Sequence, residues 1–161
     1  MFRSVIQQNV KFIPKVINIL PVIPENEMER LMSLVELDVD YSDHQQSFKD
    51  LAKLAAKVTG TKISLVNLID SLTQWTISNY GMDVEQMLRE DSVCQYTIME
   101  TDHFEVDDLM SDERFKDKDY VTGAPNLRYY YGVPLKTVNG HQIGALCVLD
   151  YERKLIDPVK S

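Results

Sequence analysis

Two cysteines and three histidines are the side chains in this sequence best suited to redox, nucleophilic or metal chemistry. Cys94 and Cys147 form no CxxC pair, and nothing in their separation supports a disulfide or a zinc site. His44, His103 and His141 have no metal-ligand spacing to one another or to a cysteine. We therefore predict no metal site and no catalytic group, and the sequence identifies no cofactor. Haem ligation by His103 is kept only as a weaker alternative.

Each cysteine has an ordinary structural explanation. A cysteine on an apolar helix face, such as Cys94, is most often a small packing residue. A thioether or redox role for Cys94 is the less favoured alternative. Cys147 lies within a run of apolar residues, and we interpret it as structural.

Acidic and basic residues in the second half of the chain could bind a ligand rather than react. Asp107 and Asp108 follow a short strand predicted over residues 104–106, and solvent exposure is their ordinary state. If one of them turned inward, Arg128 would be its buried partner. A pocket with one arginine, one aspartate and several tyrosines would suit a small polar or zwitterionic ligand.

The tyrosines beside Arg128 are predicted to alternate between the two faces of a strand. Side chains two residues apart on a strand share a face, so Arg128 lies with Tyr130. Tyr129 and Tyr131 then lie on the opposite face. We assign the first pair to the pocket wall and the second to the core.

These residues belong to a hairpin that the sequence predicts over residues 126–150. Asn139 and Gly140 supply the positive φ angles of a tight turn between its two arms. The second arm, residues 143–149, is apolar at successive positions, which is typical of a central strand covered on both faces.

Two helices precede this hairpin in the prediction. The first, over residues 25–37, either covers the sheet or contributes to a dimer interface. A capping box of Ser42 and Gln45 opens the second helix, and Gly60 closes it.

Strands over residues 61–70 and 73–80 follow these helices. Asn67 is the one polar residue on an otherwise apolar face of the first strand, and Trp75 alternates with polar neighbours in the second. A helix or loop over residues 83–90 and a short helix over 92–99 would then cover one face. The predicted fold class is therefore α+β, with a central antiparallel sheet and helices on both faces.

Composition excludes several functional classes. The chain has 161 residues, 44% of them hydrophobic, which is typical of one globular domain. A net charge of −8 without a basic run argues against nucleic-acid binding and against anionic membrane surfaces. The apolar stretch of residues 10–24 is interrupted by lysines and prolines, so we predict no membrane span. Few cysteines and no secretory signal predict a cytoplasmic protein. We divide the chain into an arm (1–24), a domain (25–155) and a tail (156–161).

Several segments together resemble the GAF domain of bacterial signal-transduction proteins, the type that precedes histidine-kinase or diguanylate-cyclase modules. They are residues 24–41, 62–70, Trp75, 92–98, 112–136 and 140–150. The resemblance implies a GAF-like sheet with a pocket beneath short helices and loops. It also implies a sensor of two-component type or a dimerising relay, with an unidentified small-molecule ligand and an output domain or kinase partner.

The sequence departs from the ligand-specific branches of this family. Bilin-binding relatives place a histidine directly after the chromophore cysteine, whereas Gln95 follows Cys94 here. The NKFDE signature of cyclic-nucleotide binders is absent. The cysteine-bearing loop of free methionine-R-sulfoxide reductases is not visible between Tyr80 and Tyr129, apart from Cys94.

We therefore predict a non-enzymatic sensor or regulatory GAF module that relays a signal through terminal helices as a homodimer. The alternatives are a free methionine-R-sulfoxide reductase-like enzyme and a ligand-free dimerisation module. The predicted pocket residues are Arg128, Tyr130, Cys94, Tyr96, Asp107, Asn67 and Trp75.

Overall fold

The computed structural model describes residues 22–38 and 46–154, and two helices open this part of the chain. Helix α1 spans Glu27–Glu36 and helix α2 spans Gln46–Thr59. Helix α2 ends where Gly60 takes a positive φ of 70°, the left-handed conformation that glycine adopts without steric cost. The predicted capping box, residues 1–21 of the predicted N-terminal arm and the predicted C-terminal tail lie outside the described residues.

Six strands form one antiparallel sheet in the described part of the chain. Its strand order is β3-β2-β1-β6-β5-β4. The strands are β1 (Ile63–Ile69), β2 (Thr73–Tyr80), β3 (Gln86–Leu88), β4 (Phe104–Val106), β5 (Tyr129–Lys136) and β6 (Gln142–Asp150). Helices cover both faces, so the predicted α+β class is confirmed.

The predicted hairpin and its central strand are also confirmed. Strands β5 and β6 pair antiparallel, and the turn between them includes Gly140 at a φ of 84°. Asn139 does not have the positive φ that the sequence predicts for it, so Gly140 alone supplies the left-handed residue of the turn. Strand β6 lies between β5 and β1, and every residue of β1 is buried. The two strands with the most continuous apolar character are therefore neighbours at the centre of the sheet.

One strand of the sheet was not predicted. Residues 83–90 were expected to form an acidic helix or loop, but they contain the edge strand β3. Strand β3 pairs with β2 in a register that places Thr73 opposite Leu88. Three residues carry too little periodicity to identify a strand, and β3 forms because β2 offers an unpaired edge.

Helices α1 and α2 cover one face of the sheet. The buried residues of this layer are Leu34, Ala52, Val66, Leu68, Ile77 and Ile143. Helix α1 turns Arg30 and Ser33 toward the sheet, whereas its apolar residues Met28, Met32 and Val35 are 70%, 60% and 78% exposed. The inner side of α1 therefore covers the sheet, which was one of the two roles predicted for this helix. Its outer side leaves apolar residues exposed, and the other predicted role, a dimer interface, would use that side.

Short elements cover the other face, and we call them the roof. They are the 3₁₀ turns Arg89–Asp91 and Leu109–Ser111 and the helices α3 (Cys94–Thr97) and α4 (Asp119–Thr122). Helix α3 is shorter than predicted, and the hydroxyl of Ser92 accepts a hydrogen bond from the backbone N–H of Gln95 at 3.2 Å. The larger core of the protein lies between the roof and the sheet.

Within the described ranges, no helix combines the length and the apolar character needed to span a bilayer.

Candidate functional site

The site is built around Asn67, on the β1 face that looks toward the roof. Strand pairing between β1 and β2 shifts register at Val66 and Asn67, which marks a bulge. The hydroxyl of Thr76 donates to the Asn67 side-chain oxygen at 2.7 Å and so fixes the orientation of the amide. A side chain at Gly144 would collide with the backbone oxygen of Asn67, so glycine lets β6 approach β1 closely here.

The amide nitrogen of Asn67 points at both cysteines. It lies 3.3 Å from the Sγ of Cys94 and 3.7 Å from the Sγ of Cys147. The two sulfur atoms are 3.9 Å apart, and neither residue is more than 2% exposed. Because Cys94 comes from roof helix α3 and Cys147 from strand β6, only the tertiary fold brings them together. The sequence interpretation of two unrelated packing cysteines missed this pair.

Tyr130 completes the polar cluster. Its hydroxyl donates to the Sγ of Cys94 at 3.1 Å, and it lies 2.6 Å from the hydroxyl of Thr97. The ring extends along strand β5 over Gly132, where any larger residue would overlap the tyrosine hydroxyl. Burial and the neighbouring thiols raise the pKa of Tyr130 well above its usual value, so it remains a donor.

The two thiols are not equivalent. Hydrogen bonds from Cys147, Tyr130 and Asn67 outweigh burial and lower the pKa of Cys94. The hydrogen bond to Cys94 and burial raise the pKa of Cys147 well above its usual value. Cys94 is therefore the thiol that ionises more readily, and Cys147 is the one that keeps its proton.

A cavity of about 50 Å³ lies against this cluster. It is lined by Leu65, Asn67, Gln74, Met82, Met87, Val93, Cys94, Tyr120, Leu127, Tyr130, Cys147 and Leu149. A buried water needs about 10–15 Å³ of such space, so the cavity has room for a few waters. Drug-sized ligands occupy pockets of roughly 300–1,000 Å³, so a ligand of that size requires the roof to move.

Three of the predicted pocket residues, Asn67, Cys94 and Tyr130, line this cavity. Arg128 does not, because its guanidinium donates to the backbone oxygens of Val121 and Leu127 at 2.9 and 3.0 Å. Its assignment to the pocket wall assumed a regular strand through position 128, but β5 begins one residue later. Arg128 instead holds the loop before β5 in place through these two hydrogen bonds.

Asp107 does not turn inward to pair with Arg128, and it does not line the cavity, contrary to the prediction from the sequence. Asp107 is half exposed and forms an ion pair of 3.1 Å with Arg153. Its carboxylate therefore remains in solvent, the ordinary state considered from the sequence.

Tyr96 belongs to an aromatic cluster of the roof rather than to the cavity. Its ring stacks on Phe104 and meets Phe115 edge to face, at centroid distances of 5.7 and 5.3 Å. The guanidinium of Arg114 lies 5.0 Å from the Tyr96 ring and is held by Asp112 at 2.7 Å. These contacts join α3 to β4 and to the loop that contains Phe115.

Trp75 lies on the other side of the sheet. It pairs with Leu68, so the two side chains share the face that α1 and α2 cover.

Of the three histidines, His103 and His141 are described and lie on separate segments, whereas His44 lies outside the described residues. His103 is on the surface, where its ring pairs with Asp102 and stacks on Tyr131. His141 contacts the hydroxyl of Ser33. In the ranges 22–38 and 46–154, no three histidine, cysteine or acidic side chains converge as metal ligands would.

Known structures share this arrangement of sheet and roof. No protein-family model matches the sequence. The GAF domain of a phosphoenolpyruvate-protein phosphotransferase from Coxiella burnetii superposes with a TM-score of 0.60 at 10% identity, over 84% of this chain and 83% of that one. The chain has the GAF fold. The fold implied by the sequence resemblance is confirmed.

Two further proteins are similar to this chain, one in fold and one in sequence. A type II free methionine-R-sulfoxide reductase from Thermoplasma acidophilum superposes with a TM-score of 0.59 at 10% identity, over 74% of this chain and 83% of that one. A cyclic di-GMP phosphodiesterase from Pseudomonas aeruginosa is 36% identical over 132 residues. That match covers 82% of this chain and 22% of the phosphodiesterase, so the chain spans about a fifth of that relative's length.

A buried ion cluster fastens helix α1 to the rest of the GAF domain. Glu27 accepts hydrogen bonds from Arg30 at 2.8 Å and from Arg89 at 2.5 Å, and both arginines are at most 1% exposed. Burial opposes ionisation of Glu27, but the two arginines outweigh it and lower its pKa to about 2. The arginines also donate to backbone oxygens at the end of β1, from Arg30 to Ile69 and from Arg89 to Asp70. From the sequence alone, Glu27 is simply an acidic residue in the first turn of α1, where the helix dipole favours a negative charge.

The roof also holds the residues that precede α1. The side-chain oxygen of Gln95 accepts from the backbone N–H of Val22 at 3.1 Å. Arg89 donates to the backbone oxygen of Val22 at 3.4 Å. The Gln95 amide nitrogen donates to the backbone of Glu90 and Ser92, which fixes the side chain in place. Gln95 therefore joins the roof to the N-terminal segment, directly beside Cys94.

Proposed function

We propose that this GAF domain is a regulatory module that senses a small ligand at the roof and passes the change to helix α1. The observation that carries the proposal is the pair of roof residues, Arg89 and Gln95, that hold Val22 and Glu27. Because Gln95 follows Cys94, a residue of the cavity wall and a residue of the N-terminal contact share one helical turn.

The roof is the part of the domain suited to moving. Its helices and turns are three or four residues long, whereas α1 and α2 have ten and fourteen. Single turns have little cooperative stability of their own and depend on packing. A ligand larger than the 50 Å³ cavity would displace the roof, and the displacement would reach Val22 and Glu27 through Gln95 and Arg89.

Sequence similarity supports a role inside a larger signalling protein. The matching segment is 22% of the cyclic di-GMP phosphodiesterase, so in that protein it is one part among others. We propose that this chain, likewise, controls an output domain of a bacterial signalling pathway in the cytoplasm. A kinase or a second-messenger enzyme is the expected class of output.

A homodimer is the expected form of the module. Met28, Met32 and Val35 expose an apolar stripe on α1, and Leu54 and Val58 add exposed apolar surface on α2. A second copy that covered these residues would place the two N-terminal helices where roof movement could shift them.

Native mass spectrometry of the gently purified full chain tests the ligand proposal. We expect a small molecule to co-purify with the wild-type protein and to be lost from Val93→Phe, which would fill the cavity. The matched control is Val138→Phe at a fully exposed position of the hairpin turn, which should retain it. A stable dimer without any bound molecule, before and after exposure to cell extract, would instead favour the ligand-free dimerisation module.

The structure also gives the reductase alternative a specific basis. A sulfoxide can be reduced to a thioether when two thiols become a disulfide and the sulfoxide oxygen leaves as water. Cys94 and Cys147 are 3.9 Å apart and line one cavity, and a reductase shares the fold. Turnover of free methionine sulfoxide with a thiol reductant, lost in Cys94→Ser, would establish this activity; no turnover by the wild type would reject it.

A further inference from the structure

We propose that Cys94 and Cys147 are a modification site at which a small hydroperoxide converts the two thiols into an intramolecular disulfide. The inference rests on the geometry of the cluster and is independent of the ligand proposed above. It assigns the cavity a second class of reactant, one small enough to enter while the roof stays closed.

The side chains around the sulfur atoms are arranged as a nucleophile and a resolving thiol. Asn67 and Tyr130 direct hydrogen-bond donors at the Sγ of Cys94, and these donors stabilise a thiolate there. The Sγ of Cys147 lies 3.9 Å from the Sγ of Cys94, within hydrogen-bond distance for sulfur. Cys147 itself belongs to the central strand β6. Bonded sulfur atoms lie about 2.05 Å apart, so the pair must close by about 2 Å.

Of the two cysteines, Cys94 is the one that can move to bring the sulfur atoms together. Cys147 is fixed in β6 between two paired strands, whereas Cys94 begins the four-residue helix α3. Rotation of the Cys94 side chain together with a small shift of α3 would bring the sulfur atoms into contact. The movement would break the contacts from Asn67 and Tyr130 to Cys94.

The cavity sets the size of the oxidant. Its 50 Å³ accommodate a few waters, and hydrogen peroxide has two heavy atoms. Both sulfur atoms are buried, so we expect a larger oxidant such as glutathione disulfide to be excluded while the roof stays closed.

The reaction balances in two steps. The Cys94 thiolate attacks one peroxide oxygen, the O–O bond breaks, and the leaving hydroxide takes a proton to become water. This leaves a sulfenic acid on Cys94. The Sγ of Cys147 then attacks the Cys94 sulfur, the S–O bond breaks, and a second water leaves with the proton of the Cys147 thiol. Two thiols are oxidised and one peroxide is reduced to two waters.

The test is stoichiometric oxidation of the reduced full-length protein with hydrogen peroxide, followed by unfolding, alkylation and intact-mass measurement. We expect both thiols to disappear together, a mass loss of two hydrogens, and a crosslinked peptide that contains Cys94 and Cys147. Glutathione disulfide should leave both thiols free until the protein is unfolded.

Amino-acid substitutions distinguish disulfide formation at this site from nonspecific oxidation of cysteines. Cys147→Ser should stop at a sulfenic acid on Cys94 that a diketone probe captures, and Cys94→Ser should leave Cys147 free. Tyr130→Phe should slow oxidation several-fold because it removes a donor to Cys94. Tyr129→Phe is the matched control, since that hydroxyl bonds Glu105 instead, and its rate should equal the wild-type rate.

Three results would overturn the proposal. They are survival of both thiols at a peroxide dose that oxidises free cysteine, a disulfide formed only between chains, and equal oxidation rates for Tyr130→Phe and the wild type. If a variant unfolds, circular dichroism will show it, and the wild-type mass and crosslink then decide the question alone.

Discussion

Replacing Glu27 with glutamine should reveal how strongly the ion cluster fastens helix α1. Glu27 has a pKa of about 2 in the folded protein instead of 4.5. A difference of one in pKa between folded and unfolded chains corresponds to about 1.4 kcal/mol, so the lowered pKa of Glu27 corresponds to at most about 3.5 kcal/mol of stability. The Glu27 side chain keeps 17% exposure, and solvent screening lowers the expected value to about 2 kcal/mol.

The pH dependence has a defined sign. Because the pKa of Glu27 is depressed by folding, its ionised form stabilises the protein fully above about pH 4.5, and this stabilisation is lost as pH falls toward about 2. Glu27→Gln has no such titration. The two proteins should therefore differ by about 2 kcal/mol near neutral pH and by much less near pH 2.5.

Urea unfolding of both proteins at several pH values measures this difference. Glu29→Gln is the matched control, because Glu29 lies on the same helix and is exposed, and its stability should follow that of the wild type. Other carboxylates with shifted pKa values, such as Asp112, titrate in all three proteins and cancel in the comparison. A wild-type advantage over Glu27→Gln that is the same at both ends of the pH range would refute the reasoning.

Three further predictions concern the cavity and the outer helix face. Gly132→Ala should cost about 1–3 kcal/mol in thermal or urea unfolding, because the added methyl overlaps a tyrosine hydroxyl. Thr76→Val should cost about 1–3 kcal/mol in the same assay by leaving the buried side-chain oxygen of Asn67 without its donor, and an unchanged stability would contradict that role. Met32→Glu should convert the proposed dimer to monomers in sedimentation, whereas Met110→Glu, at an equally exposed position on the roof, should not.

Local sequence rules were sufficient for the centre of the sheet. Gly140 and the apolar run of β6 identified the hairpin because a tight turn and a doubly covered strand both leave patterns in neighbouring residues. Asn67 was recognised as unusual for a related reason, since a polar residue on an apolar face needs a buried partner. Its partner, Thr76, lies on the adjacent strand and supplies that hydrogen bond.

The remaining errors arose where the decisive contact joins distant residues. Arg30 and Arg89 are charged and therefore resemble surface residues in sequence, yet both are buried, and their guanidinium groups donate hydrogen bonds to Glu27 and to backbone oxygens. The Nε of Arg89 is buried without a hydrogen-bond partner. Cys94 and Cys147 approach each other only after β6 pairs with β1 and α3 packs above both. No periodicity or spacing in the chain encodes either arrangement.

The two faces of the sheet differ in how they can respond to a perturbation. On one face, the longer helices α1 and α2 propagate their hydrogen bonds over several turns, so their local opening is costly. On the other, the single turns of the roof depend on side-chain clusters such as the one around Arg114. Under the proposed function, a change in the cavity would therefore move the roof before it moved the sheet. Because Arg89 and Gln95 connect the roof to Glu27 and Val22, the first rigid element that such a movement meets is helix α1.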